Sequence, residues 1–337
     1  MATGKPPLTH LSELTPGQRG DFFALLQDRT RGQTREGRPY FHCRFRDARR
    51  TVSLMVWSDD KWFEQAERDW QAGQFYKLRA VYGEHERYGP QIELLNLRPV
   101  TDTDRDAGFD PNEFFESTRY DVRALLAELR ELATTHIADE PLRGLVLALL
   151  EKYEEPFLRL PASRDRAYPY RGGLIEHTVQ VTRIAVDLAH RYRQAYPDLR
   201  PALNVDLVTA AAILHDFGRL GELGDEQPVP AYTVPGRLTG GTVLGRDLVR
   251  DAARERGDVN PELLQLLEHI LLNPLYPPDG PGPRWPAIPE ALLVQYADDL
   301  DVKMALYART LLRDDGPGPF TDREPVLGRH LLKARGV

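Results

Sequence analysis

The hydrophobic period of this sequence changes near Asp121, and that change constrains the fold more than any other feature. Over residues 19–100, apolar and polar residues alternate, as they do in strands with one buried face. From Asp121 onward, apolar residues recur every three or four positions, as on the buried face of a helix. A chain of 337 residues also exceeds one typical domain. The sequence therefore predicts a β-rich domain followed by an all-α domain.

The β-rich part has the size and order of a small barrel. It contains the strand patterns "RPYFHCRFRDARRTVSLMVW" and "GQFYKLRAVYGEHERYGPQIELLNLRPV", joined by the helix-like "SDDKWFEQAERDWQAG". Five or so short strands and one helix in about 80 residues predict a barrel of the OB type. Within the first pattern, Phe41, Cys43 and Phe45 are expected to point into the barrel, because strand side chains alternate between faces.

Composition sets the remaining boundaries. Residues 101–120 are polar and acidic and are predicted to form a linker, and the last residues form a loose tail with a short helix and no assigned chemistry. We therefore expect an N-terminal extension at 1–18, an OB-like barrel at 19–100, a linker at 101–120, a helical domain at 121–312 and a C-terminal tail at 313–337.

Several protein classes are excluded by composition. Cys43 is the only cysteine, which excludes an intramolecular disulfide and a cysteine-based zinc cluster. No apolar stretch approaches the ~20 residues of a membrane helix, and the N-terminus lacks the apolar core of a secretory signal. We therefore expect a cytoplasmic protein with no membrane partner, in which any metal is held by His and Asp.

Charge is distributed unevenly along the chain. The net charge is −7, but residues 1–100 carry 16 Lys and Arg against 13 Asp and Glu, so the first part is +3 and the remainder −10. Eight arginines lie between Arg29 and Arg50. This run is either a solvated hairpin face or a local nucleic-acid-binding patch on an otherwise acidic protein.

Histidine and aspartate recur in the predicted helices in a suggestive order. His177 lies near the start of one helix, His215 and Asp216 end the apolar run "AAILHDFG", and Asp298 lies in "QYADDLD". Each alone has an ordinary structural explanation, but together they supply four N or O ligands from rigid elements. A buried carboxylate is costly unless it is paired or binds a metal, and such a ligand set suits Zn, Mn, Fe or Mg. A cation of this kind lowers the pKa of bound water and neutralises phosphate oxygens.

The segments "GGLIEHT", "ILHDFGRLGEL" and "QYADDLD" resemble the HD-domain metal-dependent phosphohydrolases, whose pattern is H…HD…D in an all-helical domain. An OB-like barrel placed before such a domain narrows the resemblance to the YhaM-like 3′→5′ exoribonucleases. The resemblance covers roughly residues 19–312, and its most specific part is the His-Asp pair.

The resemblance implies a site for a divalent cation, either Mn, Fe, Ni, Zn or Mg, and a set of catalytic residues. In the family pattern Asp216 also orients the attacking water, and Arg219 stands where the family has a phosphate-contacting lysine. His269 matches a further family histidine that would steady the charge, and Tyr170 matches an aromatic residue at the site entry. The implied metal ligands are His177, His215, Asp216 and Asp298, and the implied catalytic residues are Asp216, Arg219 and His269.

Three departures from the family pattern remove histidines. Gly241 stands in place of the histidine of a Gly-His pair, and Asn273, Pro274 and Leu275 occupy a Ser-His-His-Gly segment. Ala167 and Tyr168 replace a histidine pair before the first motif. The lost imidazoles would bind a second metal or the scissile phosphate, so a single-metal site is expected.

Aromatic and basic residues of the barrel are candidates for binding single-stranded RNA or DNA, since OB barrels combine a basic groove with stacking platforms. An alternative is that the barrel only docks against the helical domain or a sister subunit. The predicted nucleic-acid-binding residues are Tyr40, Arg44, Arg46, Trp57, Arg87 and Tyr88 of the barrel, together with Tyr170.

The sequence thus favours a metal-dependent phosphodiesterase acting on single-stranded nucleic acid, a 3′→5′ exoribonuclease with a reduced site. Two other hypotheses stay open. One is a weakly active or inactive RNA- or DNA-binding regulatory protein with a structural metal, and the other is an HD hydrolase of a small nucleotide. The resemblance also makes a homo-oligomer reasonable.

Overall fold

The chain divides into two compact units, Met1–Glu116 and a second unit that begins at Ser117. The computed structural model describes residues 8–34, 36–85, 89–114, 116–164, 166–224, 231–273, 286–314, 316 and 318–333. Within these ranges, no helix combines the length and apolarity needed to cross a bilayer. The expected order, a β-barrel followed by a helical domain, is confirmed.

The first unit is a small barrel with the strand order β1-β2-β3-β5-β4 in the described residues. Neighbouring strands are antiparallel except β3 and β5, which close the ring through one parallel pair, Ser53 with Gln91. A short helix separates the third and fourth strands. The elements are β1 (Arg19–Gln33), β2 (Pro39–Arg46), β3 (Thr51–Trp57), α1 (Phe63–Arg68), β4 (Phe75–His85) and β5 (Gly89–Pro99).

Alternation along β2 separates the barrel core from its surface. Phe41, Cys43 and Phe45 are buried, as the sequence predicts, whereas Tyr40 and Arg44 lie on the outer face. The core also takes aromatic residues of later strands, since Tyr76 and Tyr82 are almost fully buried. These two tyrosines are thereby excluded as stacking platforms for a nucleic acid.

Residues 102–114 do not form the free linker that their composition suggests, because they pack against the barrel. The Asp104 carboxylate is buried and accepts hydrogen bonds from both Nη atoms of Arg98 at 2.6 Å. Phe109 and Phe114 bury their rings against Phe23 and Phe75, with centroid separations of 5.0 and 5.1 Å. Burial of two aromatic rings and a paired carboxylate outweighs the polar composition of this segment.

The second unit is built around one apolar helix, α6, in which Asp206 alone is not buried. Helices α5, α11, α2, α3 and α10 pack around α6, so polar side chains at the end of α6 face the interior of the unit. The helices are α2 (Val122–His136), α3 (Glu140–Lys152), α4 (Glu154–Arg159), α5 (Gly173–Ala195), α6 (Val205–Leu214), α7 (Arg219–Glu222), α8 (Val234–Leu238), α9 (Gly241–Arg256), α10 (Pro261–Leu271) and α11 (Pro289–Arg313).

The helical unit differs from the sequence expectation in three places. One predicted helix is split into α3 and α4, because Pro156 has no N–H to continue the helical ladder. A two-residue ladder pairs β6 (Leu223–Gly224) with β7 (Ala231–Tyr232), where no strand was expected. The C-terminal tail carries no helix over its described residues and forms isolated bridges instead, Phe320 with Leu332 and Glu324 with Arg329.

Replacement of Asp104 by Asn tests the packing of this segment. Arg98 holds the pKa of the Asp104 carboxyl well below its usual range, although burial opposes this effect. A lowered pKa in the folded state stabilises the protein above the unfolded value of about 4, and this contribution is lost as the pH falls. We expect Asp104→Asn to lower the free energy of unfolding by about 1–3 kcal/mol at pH 7 and by less at pH 3.

Urea unfolding monitored by tryptophan fluorescence checks this expectation, since Trp57, Trp62 and Trp70 all lie in the barrel unit. Asp102→Asn is the matched control, because Asp102 is an exposed residue of the same turn and should change stability by no more than about 0.5 kcal/mol. Equal losses of stability in the two variants, or a difference between them that is larger at pH 3 than at pH 7, would contradict the pairing of Asp104 with Arg98.

Candidate metal centre

Four side chains of the helical unit converge on one point. His177 Nε2 lies 3.2 Å from His215 Nε2 and 3.2 Å from Asp298 Oδ1. Asp216 Oδ2 lies 3.8 Å from His177 Nε2 and 4.0 Å from His215 Nε2. One ligand atom from each of His177, His215 and Asp216 falls within 4.8 Å of the others, as in a metal-binding group. The structure thus brings together the four residues that the family resemblance implies as ligands.

Three packed helices position these four side chains. His177 lies in the second turn of α5, His215 and Asp216 follow directly on α6, and Asp298 lies in the middle of α11. Because α6 is buried along its length, its end brings His215 and Asp216 into the interior rather than to the surface. His177 is 2% exposed, whereas the Asp216 carboxylate retains 22% exposure. The cluster therefore has a buried side and an open side.

The partners of each Nδ1 atom define the tautomers of the two histidines. His177 Nδ1 lies 2.7 Å from Asp301 Oδ2, and His215 Nδ1 lies 2.8 Å from the carbonyl oxygen of Ala212. Carbonyl and ionised carboxylate oxygens only accept hydrogen bonds, so each Nδ1 carries the proton and donates. In the neutral rings each Nε2 atom then carries a lone pair. The two lone pairs face each other and the two carboxylates. This is the donor set that a divalent cation requires.

The electrostatics of the cluster agree with a cation site. Burial alone would lower the pKa of His177, but Asp298 and Asp301 raise it to about 10, so a proton on this ring can compensate the surrounding acids. Burial would likewise favour neutral Asp216, but Arg219, His215 and His177 hold the pKa of this carboxyl below its usual value. Two carboxylates and two imidazoles are a ligand set that suits Zn, Mn, Fe or Mg.

Asp301 and Tyr168 complete the buried side of the centre, and sequence reasoning missed both. Asp301 is 7% exposed and accepts hydrogen bonds from His177 and from the Tyr168 hydroxyl, the latter at 3.0 Å. The available signal was spacing, since Asp298 and Asp301 are three residues apart and share one face of α11. Tyr168 is therefore a structural partner of the site and not merely a replacement for a histidine.

Arg219 lies behind Asp216 instead of standing free for a phosphate. Its Nε is 3.5 Å from Asp216 Oδ1, and its Nη1 hydrogen-bonds to Glu222. The two carboxylates raise the pKa of this guanidinium further, Asp216 having the larger effect, so the group is a permanent cation. The geometry assigns Arg219 to the orientation of Asp216.

Gly241, which stands where the family has a histidine, packs against Glu222 and the "HDFG" turn. A Cβ on Gly241 would lie 2.7 Å from Glu222 Oε2, and the Gly241 N–H donates to Glu222 Oε1 at 3.1 Å. On the facing segment, a Cβ on Gly218 would lie 1.7 Å from the Gly241 carbonyl oxygen. The start of α9 is thus packed against the "HDFG" turn, and a side chain at position 241 would first meet the Glu222 carboxylate.

His269 does not join the cluster. Its Nε2 accepts a hydrogen bond from the Ala287 N–H at 3.0 Å, and the side chain is absent from the described residues that line the cavity above the cluster. Asn273 does line that cavity, but its amide donates to the His269 carbonyl oxygen at 2.7 Å. Pro274 and Leu275, the other two substituted positions, lie outside the described residues.

The predicted nucleic-acid-binding residues have mixed placements. Tyr40 and Trp57 are cross-strand neighbours with ring centroids 5.3 Å apart, and Trp57 is 44% exposed. Arg44 pairs with Asp28 on the same unit, and Arg46 donates to the backbone of Asp47. Tyr170 of the helical unit donates to Glu176 at 3.1 Å and is not among the described residues that line the cavity. Arg87 and Tyr88 lie outside the described residues.

A cavity of about 550 Å³ opens above the cluster and is a suitable size for a small ligand. His177, His215, Asp216 and Asp298 all contribute to its wall. The other lining residues that bear positive charge are Arg166, Arg219, Lys303 and Arg329. A site with acidic ligands at its base and cations on its walls can hold a metal ion and an anionic group together.

Known proteins have sequences similar to the part of the chain that forms this cluster. Residues 174–303, which include all four clustered side chains, match the HD-domain family. The chain is 26% identical to the 3′-5′ exoribonuclease YhaM of Bacillus subtilis, over 91% of this chain and 92% of that protein. The YhaM proteins of Bacillus licheniformis and a Geobacillus species are 28% and 25% identical, over 91% and 95% of this chain and 92% and 96% of their own.

Among solved structures, a domain of replication protein A from Methanococcus maripaludis is 15% identical, covering 28% of this chain and 94% of that chain with a TM-score of 0.23.

Gly218 and Gly221 form a matched pair for testing the packing beneath the site. We expect Gly218→Ala to destabilise the helical unit by about 3 kcal/mol or more, because the added methyl group would overlap the Gly241 carbonyl oxygen. Gly221→Ala should be neutral or stabilising by less than about 1 kcal/mol, since the nearest atom to its added Cβ lies at 3.5 Å and alanine favours helix. Thermal unfolding of both variants measures the difference, and similar melting temperatures would contradict the close approach.

Proposed function

We propose that this HD-domain protein, a relative of the YhaM exoribonucleases along most of its length, is a metal-dependent 3′→5′ exonuclease of single-stranded RNA. The observation that carries the proposal is the convergence of two imidazole Nε2 atoms and two carboxylates at the base of a cavity with cationic walls. The match to the HD-domain family and the name of the relatives, 3′-5′ exoribonuclease, support the same chemistry.

The proposed ligands are His177, His215, Asp216 and Asp298, which would hold a divalent cation. When bound there, such a cation would lower the pKa of a water molecule and offset negative charge on the phosphate oxygens. The residues behind the ligands maintain this geometry. Asp301 and Tyr168 keep the His177 proton on Nδ1, and Arg219 keeps the Asp216 carboxylate ionised and oriented.

Asp216 is the residue proposed to hold the attacking water. Its carboxylate is partly exposed to the cavity, and the neighbouring cations keep its pKa low enough that it is ionised at neutral pH. Attack of that water on the terminal phosphodiester forms one P–O bond and breaks the bond to the 3′ oxygen of the preceding nucleotide. The leaving nucleotide is then a 5′-monophosphate, and the shortened RNA ends in a 3′ hydroxyl.

Among the described residues, the side chains around the cluster support a site for one cation. Gly241 offers no side chain and is packed against Glu222, and His269 faces Ala287 instead of the cavity. Asn273 can supply at most an amide oxygen, a weaker ligand than imidazole for a transition metal. The reduced site therefore supports a single-metal hydrolase whose protein cations contribute more to phosphate binding than they do in a two-metal site.

The outer face of the barrel supports a polymeric substrate. Tyr40 and Trp57 are adjacent on β2 and β3, and the exposed Trp57 ring is available for stacking on a base. His42 and Arg44 continue the same face along β2, because residues two apart in a strand point the same way. We propose that this face, defined by Tyr40, His42, Arg44 and Trp57, binds single-stranded RNA without sequence preference.

Asp298→Asn, compared with Asp299→Asn, tests the ligand assignment. The two residues are adjacent on α11, but only Asp298 faces the cluster, and Asp299 pairs with Lys303 at 2.6 Å. We expect Asp298→Asn to lose metal after gel filtration and to reduce RNA hydrolysis by at least about 100-fold, since a ligand and a charge are removed. Asp299→Asn should retain the metal content of the wild type and a rate within about twofold.

The assay uses a single-stranded oligoribonucleotide labelled at its 5′ end, with Mn²⁺ added. One-nucleotide laddering that EDTA abolishes is the expected result. Release of the labelled 5′ mononucleotide without intermediate ladder bands would show the opposite polarity. Hydrolysis of a mononucleotide ester with intact RNA would favour a small-nucleotide hydrolase. RNA binding without turnover in the metal-loaded protein would favour the regulatory alternative.

Trp57→Ala tests the barrel face. Loss of one stacking platform is expected to raise KM for a 20-nucleotide RNA by about 5- to 100-fold. Hydrolysis of bis(p-nitrophenyl) phosphate should be unchanged, because that substrate cannot reach a second binding surface. Tyr196→Ala removes an aromatic side chain that is 59% exposed on the helical unit and is the control. An equal KM for RNA in Trp57→Ala and Tyr196→Ala would refute RNA binding by this face.

A further inference from the structure

The C-terminal segment (residues 318–333) contributes to the wall of the metal-site cavity. Val326, Leu327 and Arg329 of this segment line the same cavity as His177 and Asp216. The segment lies beyond the family match, which ends at residue 303, and its sequence suggested a tail without chemistry. A wall supplied from outside the matched region is a feature that the HD pattern does not predict.

Hydrogen bonds hold this segment in a defined shape. The Thr321 N–H donates to the Leu331 carbonyl oxygen at 2.8 Å, and the Leu331 N–H donates to Thr321 Oγ1 at 3.0 Å. Both residues are buried, with exposures of 3% and 4%. The Lys333 ammonium pairs with Asp314 at the end of α11 and donates to the Gly316 carbonyl oxygen. The two ends of the segment are thus fastened to each other and to α11.

The turn of the segment is what reaches the cavity. The Glu324 N–H donates to the Arg329 carbonyl oxygen at 2.9 Å, and the Gly328 N–H donates back to Glu324 at 2.9 Å. Arg329 donates from Nε to the Leu327 carbonyl oxygen at 3.2 Å, which leaves its terminal Nη atoms for an anion. The backbone of the turn therefore fixes the base of the Arg329 side chain beside the cavity.

The described cations that line the cavity fall into two groups, those paired with a carboxylate and those without a carboxylate partner. Arg219 is paired with Asp216 and Glu222, and Lys303 is paired with Asp299. Among the described residues that line the cavity, Arg166 and Arg329 are the cations without a carboxylate partner. An exposed guanidinium presents several donors in a fork that matches phosphate oxygens. These two residues are therefore suited to a phosphate group.

A second cavity of about 910 Å³ continues from the first along α11. The two cavities share Arg166, Leu306 and Val326, so they adjoin at the turn of the C-terminal segment. Arg309 and Arg313 of α11 line the second cavity, as does Phe320, which is 54% exposed. Together they provide cations and an aromatic ring next to the first cavity.

We propose that the C-terminal segment is the substrate-binding wall of the site, where Arg329 and Arg166 bind the phosphate next to the scissile one. The second cavity then receives the following nucleotides, with the Phe320 ring available for stacking. This inference rests on the proposed function, because it takes the end of a single-stranded RNA as the substrate. It adds a specificity: the site selects a chain with two or more phosphates over an isolated phosphodiester.

Arg329→Gln, compared with Arg323→Gln, tests the proposal. Both arginines lie in the C-terminal segment and both donate from Nε to a backbone carbonyl oxygen of the turn, but only Arg329 lines the metal-site cavity. We expect Arg329→Gln to raise KM for a pentaribonucleotide by about tenfold or more, because a charged hydrogen bond to phosphate is lost. In this variant, the slope of the logarithm of the RNA-binding constant against the logarithm of the salt concentration should also become shallower by about one. Metal content should match the wild type, and hydrolysis of bis(p-nitrophenyl) phosphate should fall less than hydrolysis of the pentaribonucleotide, because only the longer substrate brings a second phosphate to Arg329.

A binding measurement separates failure of this proposal from failure of the proposed function. Fluorescence anisotropy of a labelled pentaribonucleotide is measured with the full chain in EDTA, where no hydrolysis is needed. Weaker binding by Arg329→Gln but not by Arg323→Gln supports the wall even if the protein proves inactive. Equal binding by wild type and Arg329→Gln, equal losses in both variants, no binding by the wild type, or a parallel loss of bis(p-nitrophenyl) phosphate hydrolysis would each overturn it.

Discussion

The hydrogen bond between His177 Nδ1 and Asp301 Oδ2, 2.7 Å long, is the interaction on which the centre depends. It places the proton on the far side of the ring, so Nε2 faces His215, Asp216 and Asp298 as a lone pair. Asp301 is held in turn by Tyr168, and all three side chains are buried. A carboxylate bonded behind a metal-ligating histidine fixes both ring orientation and basicity. Without this bond the tautomer of His177 would be undefined, whereas that of His215 is set by the Ala212 carbonyl oxygen.

Packing around α6 and α9 determines what can surround that centre. Gly218 allows the "HDFG" turn to approach the backbone at Gly241 more closely than any side chain would permit. Glu222 occupies the space next to Gly241 and, through Arg219, connects it to Asp216. The absence of a family histidine at this position is therefore accompanied by a compact and satisfied arrangement, and not by an opening in the wall.

The site thus combines a family-type centre with surroundings specific to this chain. The ligand cluster lies within the HD match, whereas the wall that faces it includes Leu327 and Arg329 from the C-terminal segment. Exposed guanidinium groups on this wall offer phosphate contacts of a different kind from the imidazoles missing at Gly241 and Asn273. The barrel face around Trp57 would add affinity for a polymer without altering the chemistry at the cluster.

The sequence by itself determined the two hydrophobic periods, the inward face of β2 through Phe41, Cys43 and Phe45, and the four residues that meet at the cluster, because these follow from local spacing and from a short motif. It missed Asp301 and misplaced His269 and the C-terminal segment. Their positions depend on contacts between distant parts of the chain: Tyr168 and Asp301 are 133 residues apart, and His177 and Asp301 are 124 apart. Only the tertiary structure decided that Asp298 and Asp301 of "DDLD" both face His177, and which arginines line the cavity, because burial and hydrogen-bond partners are set by the packing of whole helices.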